Sequence, residues 1–280
     1  MNSNIEKAFW LPGLAHLALG PAENWTDLKH AMTRAGESAL AVKPDVYILY
    51  SAQWISVLGH SFQLDPNPSG IHVDENWHEL GNLNFSFPVD VALTKRVMNF
   101  AEQAGLATKG VNYPGFPIDT GSLVFQHFFN PNGDIPVVIL SSNIYCGKDD
   151  SMALGHAVSQ ALADSKQRAV VACVSSLSNR FLTEDISPVQ DRFSSPEEDH
   201  WNQKMLTLFQ SASYEEALRL SETYAKEASP EMMFKAFYWL MGVLEDKASR
   251  SAISSSSIPP AFLHHYGPLW GTGAAVLEWK

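Results

Sequence analysis

The sequence predicts an α/β protein with a largely parallel or mixed central sheet, flanking helices, a helical C-terminal segment and a final strand. Short apolar segments alternate with amphipathic ones, which is the pattern of strand–helix–strand units. Several apolar segments lack polar alternation, as expected for strands that are covered on both faces. No linker is long enough to separate two folding units, so residues 1–280 are predicted to form a single domain.

The first strand–helix–strand unit lies within the first 50 residues. Ile5–Leu11 is a predicted strand, and it ends at Pro12-Gly13. Asn24 is placed to cap a helix over Trp25–Val42, in which apolar side chains recur at spacings of three and four. Asp45–Tyr50 follows as a buried strand.

A second unit of the same kind lies in the middle of the chain. Pro136–Leu140 is apolar throughout and is predicted to be a strand. Met152–Ala163 has the spacing of an amphipathic helix. Ala169–Val174 is another covered strand, so the two strands and the helix between them repeat the first arrangement.

The C-terminal third is predicted to be helical until near its end. Three helices follow Ser or Ser-Pro signals, over Glu197–Gln210, Tyr214–Glu227 and Glu231–Leu244. A Ser-rich link over Ser251–Pro260 precedes a final strand at Ala274–Trp279. In that strand alternate side chains are expected on opposite faces.

Composition excludes several classes of protein. Thirty acidic against 19 basic residues give a net charge of −11, which disfavours a nucleic-acid partner. The sequence contains neither an apolar membrane span nor a secretory signal, so a cytoplasmic protein without a membrane partner is expected. Cys146 and Cys173 cannot form a disulfide framework and are expected to be buried thiols in a reducing compartment.

Polar motifs follow the predicted strands, at the sheet edge where functional groups of open α/β folds collect. In order, they are Leu11-Pro-Gly-Leu-Ala-His16, Ser51-Ala-Gln-Trp54, Phe116-Pro-Ile-Asp-Thr-Gly121, Ser175-Ser-Leu-Ser-Asn179 and Gly271-Thr-Gly-Ala-Ala-Val-Leu-Glu-Trp279. This series resembles the class III extradiol ring-cleavage dioxygenases over nearly the whole chain. Residues 72–77 and 110–121 resemble the α rather than the β chains of the two-subunit members.

The resemblance implies chemistry on Fe(II), which the family holds with two histidines and one carboxylate. The position of the first histidine matches Gly13, and that of the second matches Gln53. The carboxylate is matched by Glu231, eight residues before Trp239. Since glycine has no side-chain donor and an amide is a weak one, iron binding in this chain is not expected.

The acid–base position of the family is also changed. Its histidine follows a Leu-Ser pair and matches Asn179, whose amide does not titrate near neutral pH. The Asp-His-Gly or Asp-Tyr-Gly element near the substrate matches Asp119-Thr120-Gly121. Gly13, Gln53, Asn179 and Thr120 are therefore degenerate equivalents of a catalytic site, and Glu231 is the single surviving ligand-type residue.

The leading hypothesis from the resemblance is a non-catalytic α subunit without a cofactor of its own. It would pair with a paralogous β subunit, as a heterodimer or an α2β2 assembly, and that subunit would carry the Fe(II). The assembly would open the ring of 2-aminophenol or of a related ortho-aminophenol or catechol.

Two other functions stay open. One is a stand-alone enzyme with a relocated metal site, drawn from His16, His72, Asp74, His78 and Glu231. The other is a non-enzymatic binding protein on the same scaffold, as in the Memo-like relatives of the family.

Structural roles compete with the relocated site at each of these positions. His16 is more typical of a hydrogen-bonded residue at a strand end. The segment 72–78 is expected to be a loop with satisfied polar groups or a partner contact. His264-His265 is expected in a surface turn, and Glu231 is placed as a carboxylate at a helix N-terminus.

Overall fold

A computed structural model, which describes residues 4–245 and 258–280, confirms the predicted α/β class. Eight strands form one mixed sheet, and two short strands pair separately as a hairpin. The described strands are β1 Ile5–Leu11, β2 Val46–Ser56, β3 His60–Gln63, β4 Ser69–His72, β5 Leu83–Ser86, β6 Thr108–Val111, β7 Val137–Asn143, β8 Ala169–Val174, β9 Phe262–Leu269 and β10 Thr272–Trp279.

The sheet has the strand order β6-β3-β7-β2-β8-β1-β10-β9. Its centre, β7-β2-β8-β1, is parallel, and β6 is parallel to β3. The junctions of β3 with β7, of β10 with β1 and of β9 with β10 are antiparallel. The carboxyl ends of β1, β2 and β8 therefore meet at one edge, which is where the predicted motifs lie.

Helices cover both faces of the sheet. They are α1 His16–Leu19, α2 Thr26–Ala41, α3 Val91–Gln103, α4 Thr120–Phe129, α5 Lys148–Ser165, α6 Pro196–Gln210, α7 Tyr214–Glu227 and α8 Lys235–Leu244. One core cluster joins α2 and α4 to the sheet, and the other joins α3 and α5–α8 to the opposite face. Neighbouring residues Phe9 and Trp10 of β1 point into different clusters, so the strand is apolar throughout.

The predicted central strands and most helices are present. β1, β8 and α7 have the predicted bounds, whereas β2, β7, β10 and α5 are longer than predicted. In β10, Val276 lies in one core cluster and Leu277 in the other, as the alternation predicted. No helix in the described ranges is long and apolar enough to span a bilayer.

The start of α2 differs from the prediction. Trp25 rather than Asn24 occupies the N-cap position, with left-handed backbone angles and no side-chain cap. The Trp25 indole instead donates to Asp191 over 2.8 Å. A long-range contact thus fixes this end, and the local capping signal is not used.

The prediction of one helix over 231–244 was wrong. Glu231–Phe234 is a short 3-10 segment in which Met232, Met233 and Phe234 have positive φ, and α8 begins only at Lys235. Glu231 and Ser176 exchange two hydrogen bonds: the Ser176 N–H donates to Glu231 Oε2 (2.9 Å), and the Glu231 N–H donates to the Ser176 carbonyl (3.2 Å). This pairing holds the segment against the end of β8 and prevents regular helix there, so Glu231 does not lie in the first turn of a long helix.

The prediction of a surface turn at His264-His265 was also wrong. Both residues lie within β9, and His264 Nε2 contacts the buried Glu278 carboxylate at 2.8 Å. The strand was missed because its sequence mixes polar and apolar residues without clear alternation. Most of the predicted Ser251–Pro260 link, residues 251–257, lies outside the described residues.

The two cysteines are free, but only one is fully buried. Cys173 lies inside β8, and burial raises the pKa of its thiol well above the usual value. Cys146 is half-buried, with its sulfur 3.3 Å from His60 Nε2. Desolvation also raises the pKa of Cys146, which opposes a reactive thiolate there.

Candidate functional site

A cavity of about 850 Å³ opens at the carboxyl ends of the central strands. Four of the five predicted site residues line it together: Gln53, Thr120, Asn179 and Glu231. The fifth, Gly13, lies beside Gln53. The rest of the lining is Leu14, Trp54, Ile55, His72, Asp74, Glu75, Asn76, Trp77, Phe116, Pro117, Ile118, Asp119 and Phe181.

Gln53 reaches the cavity through an irregularity in β2. Ser51 pairs with Ser141 of β7, but the next pair is Ile55 with Ser142, so residues 52–54 have no partner in that ladder. Such bulges re-aim side chains beside functional sites. Gln53 and Trp54 both lie in this stretch and both line the cavity.

The Gln53 amide is packed between two glycines. A Cβ added at Gly13 would lie 2.8 Å from Gln53 Nε2 and 2.3 Å from Val174 Cγ1. A Cβ at Gly121 would lie 2.9 Å from Gln53 Oε1 and 2.7 Å from the same Val174 methyl. The space that a side chain at position 13 would need is therefore filled by Gln53 and Val174.

Glu231 contributes a desolvated carboxylate. Burial raises its pKa to about 7, and the hydrogen bond from the Ser176 N–H opposes that rise. The nearby Asp119 carboxylate raises the pKa further. The group is held by the 3-10 segment that precedes α8.

Asn179 follows β8, and its backbone N–H donates to the Ser229 carbonyl over 3.0 Å. The side chain is half-buried and lines the cavity. Within the described ranges, neither the Asn179 nor the Gln53 side-chain amide makes a hydrogen bond. Both amides are therefore open to a ligand.

Asp119 and Thr120 form the N-terminus of α4. Asp119 caps the helix by accepting from the Ser122 N–H (2.9 Å), and it also accepts from the Ser51 hydroxyl (2.6 Å). These bonds join α4 to the end of β2. They place Thr120, the first residue of the helix, at the cavity wall.

Thr120 also anchors the segment between β4 and β5. Its hydroxyl donates to Asp74 Oδ2 over 2.6 Å, and His72 Nε2 lies 2.8 Å from the same oxygen. Since the hydroxyl proton is used at Asp74, the His72 contact requires a donor Nε2–H. Asp74 is 5% exposed and also accepts from the Asn76 and Trp77 N–H groups, so its polar atoms are satisfied.

His16 and His78 do not belong to the cavity. The His16 ring is buried among Trp25, Trp77 and Trp270, at centroid distances of 5.3, 4.8 and 5.5 Å. Its Nδ1 has no hydrogen-bond partner in the described ranges, so the expected hydrogen-bonded histidine was wrong. Desolvation lowers the pKa of His16 to about 4. His78 is exposed in the 3-10 turn His78–Leu80.

The residues present do not fit an iron site of two histidines and one carboxylate. Only the Glu231 carboxylate and the neutral Gln53 amide occupy matching positions, and Gly13 has no donor. Across residues 4–245 and 258–280, no three His, Cys, Asp or Glu side chains lie close enough to hold a metal ion. The relocated site is therefore not supported.

The charge in the cavity has one sign. Asp74, Glu75, Asp119 and Glu231 are in the lining, and none of the lining residues is Lys or Arg. Four aromatic rings, Trp54, Trp77, Phe116 and Phe181, provide apolar walls. Such an arrangement suits a flat ligand that donates hydrogen bonds and disfavours an anion.

Two structural roles were not predicted from the sequence: the hydrogen bonds of Thr120 to the β4–β5 segment and the position of Trp54 in the cavity wall. Thr120 was predicted as a degenerate catalytic position and the segment 72–78 as a loop with satisfied polar groups or a partner contact, but the hydrogen bonds between Thr120 and this segment were not predicted. The pairing spans 46 residues of sequence, so no local signal shows it. The position of Trp54 in the cavity wall could have been predicted, because its neighbour Gln53 was already predicted to be a site residue.

Comparison with known proteins identifies one family and two related subunits. Residues 12–263 match the family described as the catalytic LigB subunit of aromatic ring-opening dioxygenase. The chain is 35% identical over 278 residues to the 2-aminophenol 1,6-dioxygenase alpha subunit of a Pseudomonas species, covering 99% of both chains. It is 30% identical over 299 residues to a Pseudomonas beta subunit of that name, covering 100% of this chain and 95% of the other.

A solved structure shares the fold. The crystal structure of an uncharacterized protein from Escherichia coli K12 superposes with a TM-score of 0.66 and 13% sequence identity. The match covers 98% of this chain and 99% of that one. This likeness shows the fold alone.

Proposed function

Because the chain belongs to the LigB family of aromatic ring-opening dioxygenases, we propose that it is the non-catalytic α subunit of a two-subunit enzyme. A paralogous β subunit holds the Fe(II) and carries out ring opening, and the present chain binds no iron. The substrate is 2-aminophenol or a related ortho-aminophenol or catechol. The assembly is a heterodimer or an α2β2 tetramer, and it works in the cytoplasm.

The packing around Gly13 is the observation that carries this proposal. A side chain at position 13 would overlap Val174 and the Gln53 amide, with its Cβ already 2.3 Å from a valine methyl. Gly13 and Gln53, the two positions that match the family's iron-binding histidines, therefore form a close-packed pair. A side chain therefore cannot be added at position 13 without moving Val174 and Gln53.

The acid–base position supports the same conclusion. Asn179 lines the cavity but cannot exchange a proton near neutral pH, because an amide does not titrate there. His72 lies in the same cavity, yet its Nε2–H is held by Thr120. Proton transfer to a ring oxygen therefore has no evident donor at the family's position in this chain.

The assignment of a partner is supported by the relatives. The chain is similar over its whole length both to an α subunit, at 35% identity, and to a β subunit, at 30%. Chains that are related in this way commonly associate through equivalents of a homodimer surface.

The test measures iron and turnover in the separate chains and in the complex. The chain is purified alone and with its paralogous β subunit, each is loaded anaerobically with Fe(II), and iron per chain is measured after desalting. Ring opening of 2-aminophenol is then followed with O₂, and the mass of the complex gives its stoichiometry. We expect iron and turnover only where the β subunit is present. Stoichiometric iron with turnover in the lone chain would disprove the proposal.

A further inference from the structure

The cavity of this chain has the features of a ligand site, although its residues do not fit iron. Its volume of about 850 Å³ lies within the range of small-molecule sites. Such sites combine apolar walls with a few convergent polar groups. Here the walls are Trp54, Trp77, Phe116 and Phe181, and the polar groups lie at the end of the sheet.

Two polar side chains in the cavity have no partner within the protein. The Gln53 and Asn179 amides make no side-chain hydrogen bond within the described ranges. Both side chains are half-buried, and neither amide is among the fully buried groups without a partner, so both can be reached from the cavity. Each offers one carbonyl oxygen and two N–H donors.

The charged groups of the lining determine which ligand charge the cavity can accommodate. Asp74, Glu75 and Asp119 place carboxylates in the lining, and none of the lining residues is Lys or Arg. Both oxygens of Asp74 and of Asp119 already accept hydrogen bonds within the protein, so these two groups act on a ligand through their charge. The His72 Nε2–H is already directed to Thr120 and so is not available to an anion. The Gln53 and Asn179 carbonyl oxygens can accept from a ligand with N–H or O–H groups, whereas the negative charge of the lining would repel a carboxylate.

We propose that this cavity is a non-catalytic binding site for a single-ring aromatic amine or phenol. It would discriminate against aromatic carboxylates of the same size. The inference goes beyond the proposed function, because it needs neither iron nor the partner subunit. In an assembly with a catalytic chain, the site would give each pair of subunits a second position that responds to the aromatic compound.

The probe is 2-aminophenol, and the comparison compound is 2-hydroxybenzoate, which has the same ring but carries a carboxylate. The full-length chain alone is treated with a chelator and titrated anaerobically with each compound by calorimetry. Quenching of tryptophan fluorescence provides a second readout, since two tryptophans lie in the walls. We expect saturable binding of 2-aminophenol that is at least tenfold tighter than that of 2-hydroxybenzoate.

Two variants localise the binding to the cavity. Asn179→Leu keeps the side-chain size but removes an open amide, and it should weaken 2-aminophenol binding at least fivefold. Gln103→Leu, at an exposed amide on α3, is the matched control and should have no effect.

Phe181→Lys, at a residue that is 40% exposed, places a cation at the cavity mouth and should reverse the preference toward 2-hydroxybenzoate. Val189→Lys, at a 92% exposed site outside the lining, should not.

Absence of saturable 2-aminophenol binding to the folded lone chain would overturn the inference. Equal affinity for the two compounds, or equal loss in Asn179→Leu and Gln103→Leu, would also overturn it. These outcomes are separate from those of the proposed function, since an iron-free, inactive chain can either bind the amine or not.

Discussion

At the residue scale, function in this chain depends on how a few side chains occupy space. Gly13, Gly121 and Val174 surround the Gln53 amide at distances that leave no room for an additional carbon. The loss of a donor at position 13 and the amide at position 53 are therefore parts of one packing arrangement.

Gly13→Ala should destabilise the protein by overpacking. The new methyl would lie 2.3 Å from Val174 Cγ1, so the free energy of unfolding should fall by about 1–3 kcal/mol. Urea denaturation measures this change. In a Val174→Ala background the same substitution should cost less, because the obstructing methyl is gone. An equal cost in both backgrounds would contradict the packing argument.

Thr120→Val should destabilise the contact between α4 and the β4–β5 segment. The substitution keeps the shape of the side chain but leaves the buried Asp74 oxygen without its donor, at a cost of about 1–3 kcal/mol. Thr207→Val, at an exposed threonine of α6, is the control and should change stability by less than about 0.5 kcal/mol. Thermal denaturation compares the two variants, and equal melting temperatures would contradict a role for Thr120 as an anchor.

At the element scale, the fold could be predicted where signals are local. Fully apolar segments such as β8, and a capped amphipathic helix such as α6, have signatures in their own residues. The short strands β3 and β6 lack such signatures, and the partner of β6 in the sheet is β3, which also pairs with β7. Met232, Met233 and Phe234 have left-handed angles within a segment of helix-forming residues, and the preceding Glu231 is held by its hydrogen bonds with Ser176, so tertiary contacts override propensity there.

The site, like the fold, was predictable only in part: the residues that form it could be predicted, but the contacts between them could not. The resemblance correctly grouped Gln53, Thr120, Asn179 and Glu231, which lie far apart in sequence and line one cavity. The close packing of Gln53 against Gly13, and the anchoring of Asp74 by Thr120, depend on contacts between distant segments. Neither could be predicted without coordinates.

The aromatic cage around His16 joins three elements and should make stability depend on pH. His16 follows β1, whereas Trp25, Trp77 and Trp270 come from the start of α2, the β4–β5 segment and the turn before β10. Burial lowers the folded-state pKa of His16 to about 4, below its usual value of 6.5. The unfolded chain therefore binds more protons between these two pH values, and stability falls as the pH drops from 6.5 toward 4.

His16→Phe should remove that contribution. The ring and its packing are retained, but the variant has no group to protonate at this position. Between pH 6.5 and 4 the wild type should lose about 3 kcal/mol more of its unfolding free energy than the variant. Denaturation at several pH values measures the difference. Parallel pH profiles for the two proteins would show that the cage does not shift the His16 pKa.

At the scale of the whole molecule, the topology of the sheet determines which residues meet at the cavity. The mixed sheet brings the ends of β1, β2 and β8 to a common edge, whatever residues are placed there. Glu231 lies at that edge, where its backbone N–H and its side-chain carboxylate each form a hydrogen bond with the backbone of Ser176, just after β8. The sheet edge therefore brings Gln53, Asn179 and Glu231 to one cavity, although these side chains do not fit an iron site of two histidines and one carboxylate.

The position of Glu231 at this edge predicts that three substitutions can create an iron site in the chain. Gly13→His and Gln53→His supply two imidazoles, and Val174→Ala removes the methyl that blocks position 13. We expect the triple variant to bind about one Fe(II) per chain after anaerobic loading, measured by metal analysis alongside circular dichroism. The same variant with Glu231→Gln should lose most of that iron, and the two histidines without Val174→Ala should bind less. A folded triple variant without iron would show that the sheet edge has lost the ligand geometry itself.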